Sequence, residues 1–544
     1  MSIAERAATV VTGGLASAIV VAYGMDAVGL ALSPAVTLVL SVLTGVALMR
    51  AEPDDSARQA SAAPTLSWIA VVVLVLVWLV WLAWPALLLP GGGPDLAHHL
   101  LLIDYIERSR HLVHVPALAG AMGEMAAYTP GSHLLAVLAG AWTRTDGFRA
   151  VYPLVAVTTA LKAGFVFLIA RRALPVDAPH TPLALVGVLL VALPRAYVAD
   201  AFAHDSYLAQ VVSELFAVAM WWAITMWDER PSARRAGAVA LMGAAVFLTW
   251  PIWIGPPALV CLVVMATHRD LPWTTRTRHI AVAIAPIAAV ALIHSLGRLG
   301  WVAVVGTSGA VIAPSIATFG VGLPLLALAG VAVSTRDRRA RPTVLMLAAI
   351  GLQCIALYTV ARIRGSETPY MALKMVYLAI YPMAVLGAMA IARGVEGFRQ
   401  VQEATAWAGV MALAVVIGRP VIAVPRPVPA VSRDLYDAGR WTRDHVGAGC
   451  VDYLVPNADA IYWLHLAVLG NPRTSARTAQ IDREPMRDVM ARWIEGSGEP
   501  YAIADLTVLP DEVRNRVELI QRFGVAGVIK RPGAQTCLNL SEPF

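Results

Sequence analysis

The sequence predicts an α-helical polytopic membrane protein that carries a small α/β domain at its C-terminus. Of the 544 residues, 58% are hydrophobic and only 14% are charged, and the mean hydropathy is +0.66. A soluble protein could not cover that much apolar surface with so few charges, so the chain belongs in a bilayer. The basic residues behind the net charge of +6 cluster between the apolar runs. That pattern orients a membrane protein and is not typical of nucleic-acid binding.

The apolar runs of the first 424 residues predict the membrane spans. Crossing the hydrocarbon core takes about 20 apolar helical residues, and by that measure the chain contains about thirteen spans. Pro251 separates two short runs, which indicates a tight return between paired helices. The predicted spans are 7–24, 29–49, 66–90, 150–170, 181–196, 207–227, 236–250, 252–267, 279–295, 316–334, 342–361, 375–392 and 404–424.

The distribution of arginine predicts the orientation of these spans. Every second loop contains arginine, as in ARRALPVDAPH and WDERPSARRAG. Such loops are expected on the cytoplasmic side. The connection 91–149 and the tail after residue 425 then lie outside the membrane. The C-terminal domain is therefore expected on the external face. The composition, rich in alanine and arginine, favours a bacterial protein, so we expect the plasma membrane of a bacterium.

Two regions depart from the alternation of loops and spans. Residues 91–149 are expected to form short helices along the membrane surface, interrupted by Pro116 and Pro130. The tail mixes strand-like runs such as EPYAIAD with helical ones such as VSRDLYDAGRWTRDHV and PDEVRNRVELIQRF. It predicts an α/β domain of ordinary size. We therefore divide the chain into a transmembrane domain, 1–424, and an external domain, 425–544.

Asp95 is the first candidate catalytic residue. If the segment PDLAHHLLLIDYI is helical from Pro94, His98 and His99 follow at i+3 and i+4 and share the face of Asp95. A carboxylate at the membrane boundary, backed by apolar side chains, is a suitable general base. The alternative is a helix cap or a partner of the helix dipole.

The charged residues further along the same segment are expected on another face. Asp104 follows nine residues after Asp95, which is about 180° round the helix. The simplest interpretation of this charge run is a solvated surface. It comprises Asp104, Glu107, Arg108 and Arg110.

Asp205 is the second candidate acid. It stands at the external entry of a predicted span, in AFAHDSYLAQVV, directly after His204. Capping of the following helix is the alternative. Two external acids placed alike on separate spans favour a shared catalytic site.

The order of these features resembles the GT-C superfamily of polyprenyl-phosphate-sugar glycosyltransferases, which includes the protein O-mannosyltransferases and the aminoarabinose transferases that act on lipid A. GPDLAHHLLLIDYI stands where that superfamily carries its first-loop aspartate, and AHDSYLAQ where it carries the second-loop acid. YTPGSHLLAVLAGAW, with Tyr128 and His133, resembles its surface helix. The similarity covers about residues 65–270, and it implies a GT-C-like fold.

The resemblance implies an inverting hexosyl- or pentosyltransferase. Asp95 would deprotonate an acceptor hydroxyl as it attacks the anomeric carbon, with Asp205 as the second catalytic acid. The donor would be a polyprenyl-phosphate sugar, and the acceptor a glycan, lipid or protein. The residues expected to line the substrate site are His98, His99, Tyr128, His133 and His204.

The departing phosphate requires a cation in a site poor in water. Related aminoarabinose transferases often carry a lysine where this chain has Ala127. The better candidate is ARIRGSETPYMALK, whose basic residues suit phosphate contact. Its candidate substrate-binding residues are Arg362, Arg364, Tyr370 and Lys374. The alternative is snorkelling of long basic side chains to the interface.

Three further sequence patterns each predict a structural feature. Lys162 and Glu214 lie within spans at similar depth. Charged residues there are candidates for a functional role, but a buried ion pair that joins the two helices is the preferred interpretation. An external compartment favours a disulfide between Cys450 and Cys537. The aromatic stripe DAIYWLHLAVLG, with Tyr462, is expected to pack in the core of the tail, although it could also face an acceptor glycan or the membrane.

No cofactor is assigned from the sequence. Oxygen and imidazole ligands near Asp95 and Asp205 leave a divalent metal as an option, but their spacing is not diagnostic. Two other functions stay open: a transporter or flippase of lipid-linked sugars, and a non-catalytic subunit of an envelope-assembly complex. Transporters tend to carry repeats and polar mid-membrane sites. The charges here gather at one face, which favours surface chemistry.

Overall fold

The computed structural model describes residues 1–50, 62–89, 94–114, 116–175, 178–194, 208–298, 314–315, 320–334, 337–395, 402–422, 426, 428–471 and 485–535. Seven of the described helices are long and apolar enough to cross a membrane, and four further apolar helices are shorter. A helix coincides with each predicted apolar run, so the predicted fold class is confirmed.

The helices of the first half of the chain begin with three apolar ones, continue with three shorter ones and then return to the bundle. They are α1 (Ile3–Ala27), α2 (Pro34–Arg50), α3 (Ala63–Ala83), α4 (Pro94–Ser109), α5 (Pro116–Met122), α6 (Gly131–Thr143), α7 (Gly147–Ala173), α8 (His180–Val191), α9 (Leu208–Glu229) and α10 (Ala233–Thr249).

The helices of the second half complete the bundle and lead into the C-terminal domain. Pro251 interrupts the chain as expected, because α10 ends at Thr249 and a new helix begins after one 3₁₀ turn. The remaining bundle helices are α11 (Gly255–Ala266), α12 (Trp273–Gly297), α13 (Gly322–Ser334), α14 (Arg341–Ile363), α15 (Tyr370–Leu378), α16 (Ile380–Val395) and α17 (Gln402–Ile422).

Helix α7 defines the two ends of the bundle. Its N-terminal cap, Asp146, accepts a hydrogen bond from Tyr436 of the C-terminal domain. Near its other end, Arg172 forms ion pairs with Glu5 and Glu229. At 1.5 Å per residue the helix separates these contacts by about 40 Å. The C-terminal domain thus lies at one end of the bundle, and an arginine-rich cavity of about 1100 Å³ lies at the other.

A buried ion pair joins two helices inside the bundle. Lys162 of α7 donates to Glu214 of α9 at 2.7 Å, and both side chains are at most 5% exposed. Tyr381 of α16 also donates to Glu214, at 2.8 Å. Gln210 of α9 donates to the other carboxylate oxygen at 3.4 Å. Several donors thus satisfy the buried carboxylate, as a charge in a low-dielectric interior requires. The predicted structural pair is confirmed.

Short helices fill the connection between α3 and α7, as the sequence predicts. Proline begins α5 at Pro116 and directly precedes α6 at Pro130. Helix α6 packs closely against the end of α10. A Cβ on Gly131 would lie 2.8 Å from the carbonyl oxygen of Leu248, so only glycine fits there.

The C-terminal domain is built on a four-stranded sheet of order β1-β2-β4-β3, parallel between β1 and β2 and antiparallel elsewhere. Its buried face packs apolar side chains from the strands against helices. The strands are β1 (Val451–Leu454), β2 (Tyr501–Asp505), β3 (Glu518–Phe523) and β4 (Ala526–Lys530), and the helices are α18 (Arg433–His445), α19 (Ala458–Trp463), α20 (Met486–Glu495) and α21 (Asp511–Arg514).

One secondary-structure prediction in this domain is wrong. PDEVRNRVELIQRF was expected to be helical, but only α21 forms there, and residues 518–523 are strand β3. β3 pairs with β4 across a short turn, and Val517, Ile520 and Phe523 favour a strand once that neighbour is present. The predicted boundary at residues 424/425 stays a prediction.

The aromatic stripe of the domain packs in its core, as expected. Tyr462, Trp463 and His465 are 8%, 1% and 3% exposed. Cys450 is also buried, where it precedes β1. Cys450 is disulfide-bonded. Cys537 lies outside the described residues, so its pairing with Cys450 stays a prediction.

Candidate active site

The candidate site begins at the first turn of α4. Pro94 starts this helix, because a proline is tolerated where no intrahelical hydrogen bond is needed. Asp95 is 46% exposed, whereas His99, one turn later, is 3% exposed. The Nε2 atom of His99 lies 3.9 Å from Oδ2 of Asp95. A solvent-facing carboxylate is thus backed by a buried imidazole on the same helical face.

A second histidine holds His99 in place from α6. His99 Nδ1 and His133 Nε2 are 2.8 Å apart, and the two rings stack with centroids 5.0 Å apart. A carboxylate attracts a protonated nitrogen, so we assign the proton of His99 to Nε2; the Nε2–H of His133 then donates to His99 Nδ1. The pair orients an N–H group toward Asp95.

Both imidazoles are neutral at neutral pH. Burial lowers the pKa of His99, the Asp95 carboxylate opposes that shift, and the charge of Lys374 adds to it. Burial and then the neighbouring His99 lower the pKa of His133 well below its usual range. The site therefore holds Asp95 without placing a permanent cation directly behind it.

Tyr128 connects the histidines to the next part of the site. Its ring packs edge-on against His99 at 5.0 Å and against His133 at 5.7 Å. Burial raises the pKa of Tyr128 well above its usual range, and the nearby charges of Asp95 and Tyr370 add to the effect. The phenol therefore stays protonated and can donate a hydrogen bond.

The site continues from Tyr128 to a buried lysine. The rings of Tyr128 and Trp250 are 5.7 Å apart. Lys374, which is 3% exposed, places its Nζ atom 5.2 Å from the ring centroid of Trp250 and 4.2 Å from that of Tyr370. The faces of aromatic rings attract a cation at these distances.

These contacts form a continuous row from a carboxylate to an ammonium group, which we call the site wall. It draws on α4, α6, the end of α10 and α15, which are far apart in the chain. Its members are Asp95, His99, His133, Tyr128, Trp250, Lys374 and Tyr370.

The other candidate residues from the sequence are not members of the site wall. His98 is buried and shares a hydrogen bond of 2.6 Å with Tyr462, so its ring points to the C-terminal domain. Arg362 and Arg364 are exposed, and Arg362 donates to the carbonyl of Ser366 at 3.4 Å. His204 and Asp205 lie outside the described residues.

The charge run after His99 is not a solvated surface, and that prediction is wrong for Asp104. Its side chain is 3% exposed and accepts hydrogen bonds from Arg108 and from two arginines of α18, Arg440 and Arg443. The sequence did not reveal this burial, because the two arginines follow more than 330 residues later in the chain.

Trp250 is the residue of the site wall that the sequence analysis missed. It lies directly before Pro251 at the end of a predicted span. Tryptophan is common at membrane interfaces, so its position alone did not separate a site residue from an interfacial anchor. Its place beside Lys374 is visible only in the folded chain.

The part of the chain that the structure describes contains no group of three or more His, Cys, Asp or Glu residues arranged to hold a metal ion. Both ring nitrogens of His99 face protein groups, Asp95 and His133. A hydrogen bond links the two histidines, and the His99 ring lies 3.9 Å from the Asp95 carboxylate.

Fold and site together define a multi-pass membrane protein with a polar site where the bundle meets a small α/β domain. No family model matches the sequence. No curated protein matches it either.

Several solved structures are similar at low sequence identity. ArnT from Cupriavidus metallidurans bound to undecaprenyl phosphate is 16% identical over 89% of this chain and 100% of its own, with a TM-score of 0.47. The Archaeoglobus fulgidus oligosaccharyltransferase in the apo form is 14% identical over 81% of this chain and 69% of its own, with a TM-score of 0.44. The arabinofuranosyltransferase AftD from Mycobacteria is 16% identical over 73% of this chain and 31% of its own, with a TM-score of 0.45.

Proposed function

We propose that this chain is an inverting membrane glycosyltransferase that moves a sugar from a polyprenyl-phosphate donor to an acceptor on the external face. The observation that carries the proposal is the site wall, which joins a half-exposed carboxylate, Asp95, to a buried ammonium group, Lys374. Such a transfer needs a base for the acceptor and a cation for the leaving group.

Asp95 acts as the general base. Its carboxylate takes the proton of an acceptor hydroxyl while the hydroxyl oxygen attacks the anomeric carbon of the donor. The bond between that carbon and the phosphate oxygen breaks on the opposite side, and its electron pair leaves with the polyprenyl phosphate. The configuration of the sugar inverts. Assistance of this kind accounts for roughly 10²–10⁴ in rate.

Lys374 stabilises the departing phosphate. An ammonium group surrounded by aromatic rings lies in a site with little water, where its charge acts more strongly than it does in bulk solvent. Arg362 and Arg364 precede the same helix and are exposed. We infer that they attract the phosphate to the entrance of the site, where a guanidinium can bind two phosphate oxygens.

The neutral residues of the wall orient these two groups. The Nε2–H of His99 points to Asp95 and keeps the carboxylate facing the acceptor, and His133 fixes the tautomer of His99. Tyr128 presents a protonated phenol between the two ends and can donate to the transferred sugar. Asp205 remains the proposed second acid on the basis of the sequence alone.

To test this proposal, the purified full chain is reconstituted in membrane vesicles and incubated with a panel of polyprenyl-phosphate sugars and candidate acceptors. Mass analysis should detect an acceptor heavier by one sugar residue together with free polyprenyl phosphate. Movement of an uncleaved donor across the vesicle membrane, with no sugar transferred to any acceptor, would instead favour a flippase.

A further inference from the structure

Helix α4 is attached to the C-terminal domain by a buried ion cluster that lies away from the site wall. Arg108 donates to Oδ2 of Asp104 at 2.7 Å, and Arg440 donates to Oδ1 at 3.3 Å. Arg443 also donates to Oδ1. The arginine side chains are between 16% and 23% exposed, so the cluster is largely withdrawn from solvent.

A π-helical segment, Leu464–Val468, continues from α19, and the turn after it packs directly onto this cluster. Gly470 has a φ of +70° there, and a Cβ at that position would lie 2.3 Å from Oδ2 of Asp104. Only glycine combines that backbone conformation with such close approach. The domain is therefore shaped around the Asp104 side chain.

A second attachment lies one turn from Asp95. His98 Nε2 and the Tyr462 hydroxyl are 2.6 Å apart, and both side chains are buried. Asp104 follows His98 by six residues, about 9 Å along a helix. Two contacts separated along one helix, both to the same domain, fix its rotation as well as its position.

Neither attachment touches the reacting groups. Asp104 is nine residues from Asp95, so it lies about 13 Å along α4 and on the opposite face. Any influence of Asp104 on the reaction must pass through the helix. It is therefore a positioning residue.

We propose that the C-terminal domain sets the rotation of α4 through the Asp104–Arg108–Arg440–Arg443 cluster and the His98–Tyr462 bond, and thereby aims Asp95 at the acceptor. This inference rests on the function proposed above. Buried ion pairs contribute little net stability compared with apolar side chains of similar size, whereas their geometry is specific. A cluster of this kind is therefore better suited to fixing the orientation of a helix than to stabilising an interface.

The test compares the wild-type full chain with Asp104→Asn and Arg443→Gln. We expect kcat to fall about 10- to 100-fold in both variants, because a displacement of the base by about 1 Å can cost up to 10²-fold. The KM for the donor should change much less, since Lys374 lies on α15 beside Trp250 and Tyr370. Asp104→Glu keeps the charge and should recover part of the loss.

Hydrogen–deuterium exchange of residues 95–103 provides a readout that does not depend on turnover. It should become faster in both variants. Arg149→Gln is the matched control, because Arg149 pairs with Asp437 of the same domain at 2.5 Å but does not contact α4. It should leave both exchange and kcat at the wild-type values.

Unchanged exchange and unchanged kcat in both cluster variants would overturn the inference. A loss of kcat in Arg149→Gln as large as in the cluster variants would also overturn it. Arg443→Gln leaves two arginines on Asp104, so it carries the test if Asp104→Asn does not fold. If the wild type transfers no sugar, the proposed function fails. The exchange comparison then still decides whether the cluster positions α4.

Discussion

The Nε2 atom of His99 lies 3.9 Å from the Oδ2 atom of Asp95, one turn along the same helix. The imidazole is buried and neutral, and the carboxylate is half exposed. His99 can therefore hold the orientation of Asp95 without neutralising its charge, as the partner of a general base should.

Replacing His99 should show how far catalysis depends on the orientation of the Asp95 carboxylate, since the charge of Asp95 is retained. In His99→Phe we expect kcat to fall about 10- to 100-fold, because the ring is retained but Asp95 loses its N–H partner. His99→Gln keeps an N–H donor and should lose less. Steady-state kinetics with a fixed donor measure both variants, and equal activity of the phenylalanine variant and the wild type would contradict the role given to His99.

The buried histidines should make stability depend on pH. The pKa values of His99 and His133 are lowered in the folded protein, so below about pH 6.5 the unfolded chain binds more protons than the folded one. The contribution of the two neutral histidines to the free energy of unfolding is therefore fully present above that pH. It is lost as the pH falls toward their pKa values in the folded protein. The apparent Tm in detergent should drop between pH 7.5 and pH 5, the range on either side of the usual histidine pKa. If the apparent Tm of His133→Gln fell by the same amount over this pH range, His133 would not be the cause of the pH dependence.

Lys374 should be required for catalysis but not for folding. Loss of one preorganised charge-stabilising group typically costs about 10²–10³ in kcat, and we expect Lys374→Ala to fall in that range. Lys530→Ala is a matched control, since Lys530 lies 5.7 Å from the ring centroid of Tyr501 in the C-terminal sheet, away from the site wall. Equal activity of the Lys374 and Lys530 variants would remove Lys374 from the mechanism.

The two cysteines of the C-terminal domain should be linked. We expect a non-reducing peptide map to yield one disulfide-joined peptide pair containing Cys450 and Cys537, and the reduced protein to melt at a lower temperature. A disulfide that closes a long loop typically contributes about 2–4 kcal/mol. Cys261 and Cys354 are free thiols and should react with an alkylating reagent in either case. Alkylation of Cys450 and Cys537 in unreduced, unfolded protein would exclude the bond.

The sequence predicts the site well where function depends on local spacing. The i, i+4 relation between Asp95 and His99 follows from a helix that begins at Pro94, and the structure retains it. Lys374 and Tyr370 were also named, because basic and aromatic residues at the end of a span suit phosphate binding.

The contacts between distant segments could not be predicted in the same way. His133 reaches His99 across 34 residues, and Arg443 reaches Asp104 across 339. Without the position of α18, a run of charged residues on α4 favours a solvated face. The strand β3 was missed for a similar reason, since its conformation depends on pairing with β4.

The central claim is that the Asp95 carboxylate removes the acceptor proton, and the most direct test is the kcat of Asp95→Asn. Asn has nearly the same shape but cannot accept that proton at neutral pH. The control is Asp511→Asn, which changes an 89% exposed carboxylate of the C-terminal domain. We predict that Asp95→Asn loses roughly 10²–10⁴ of the wild-type kcat while Asp511→Asn loses none. Turnover of Asp95→Asn at the wild-type rate would contradict the account.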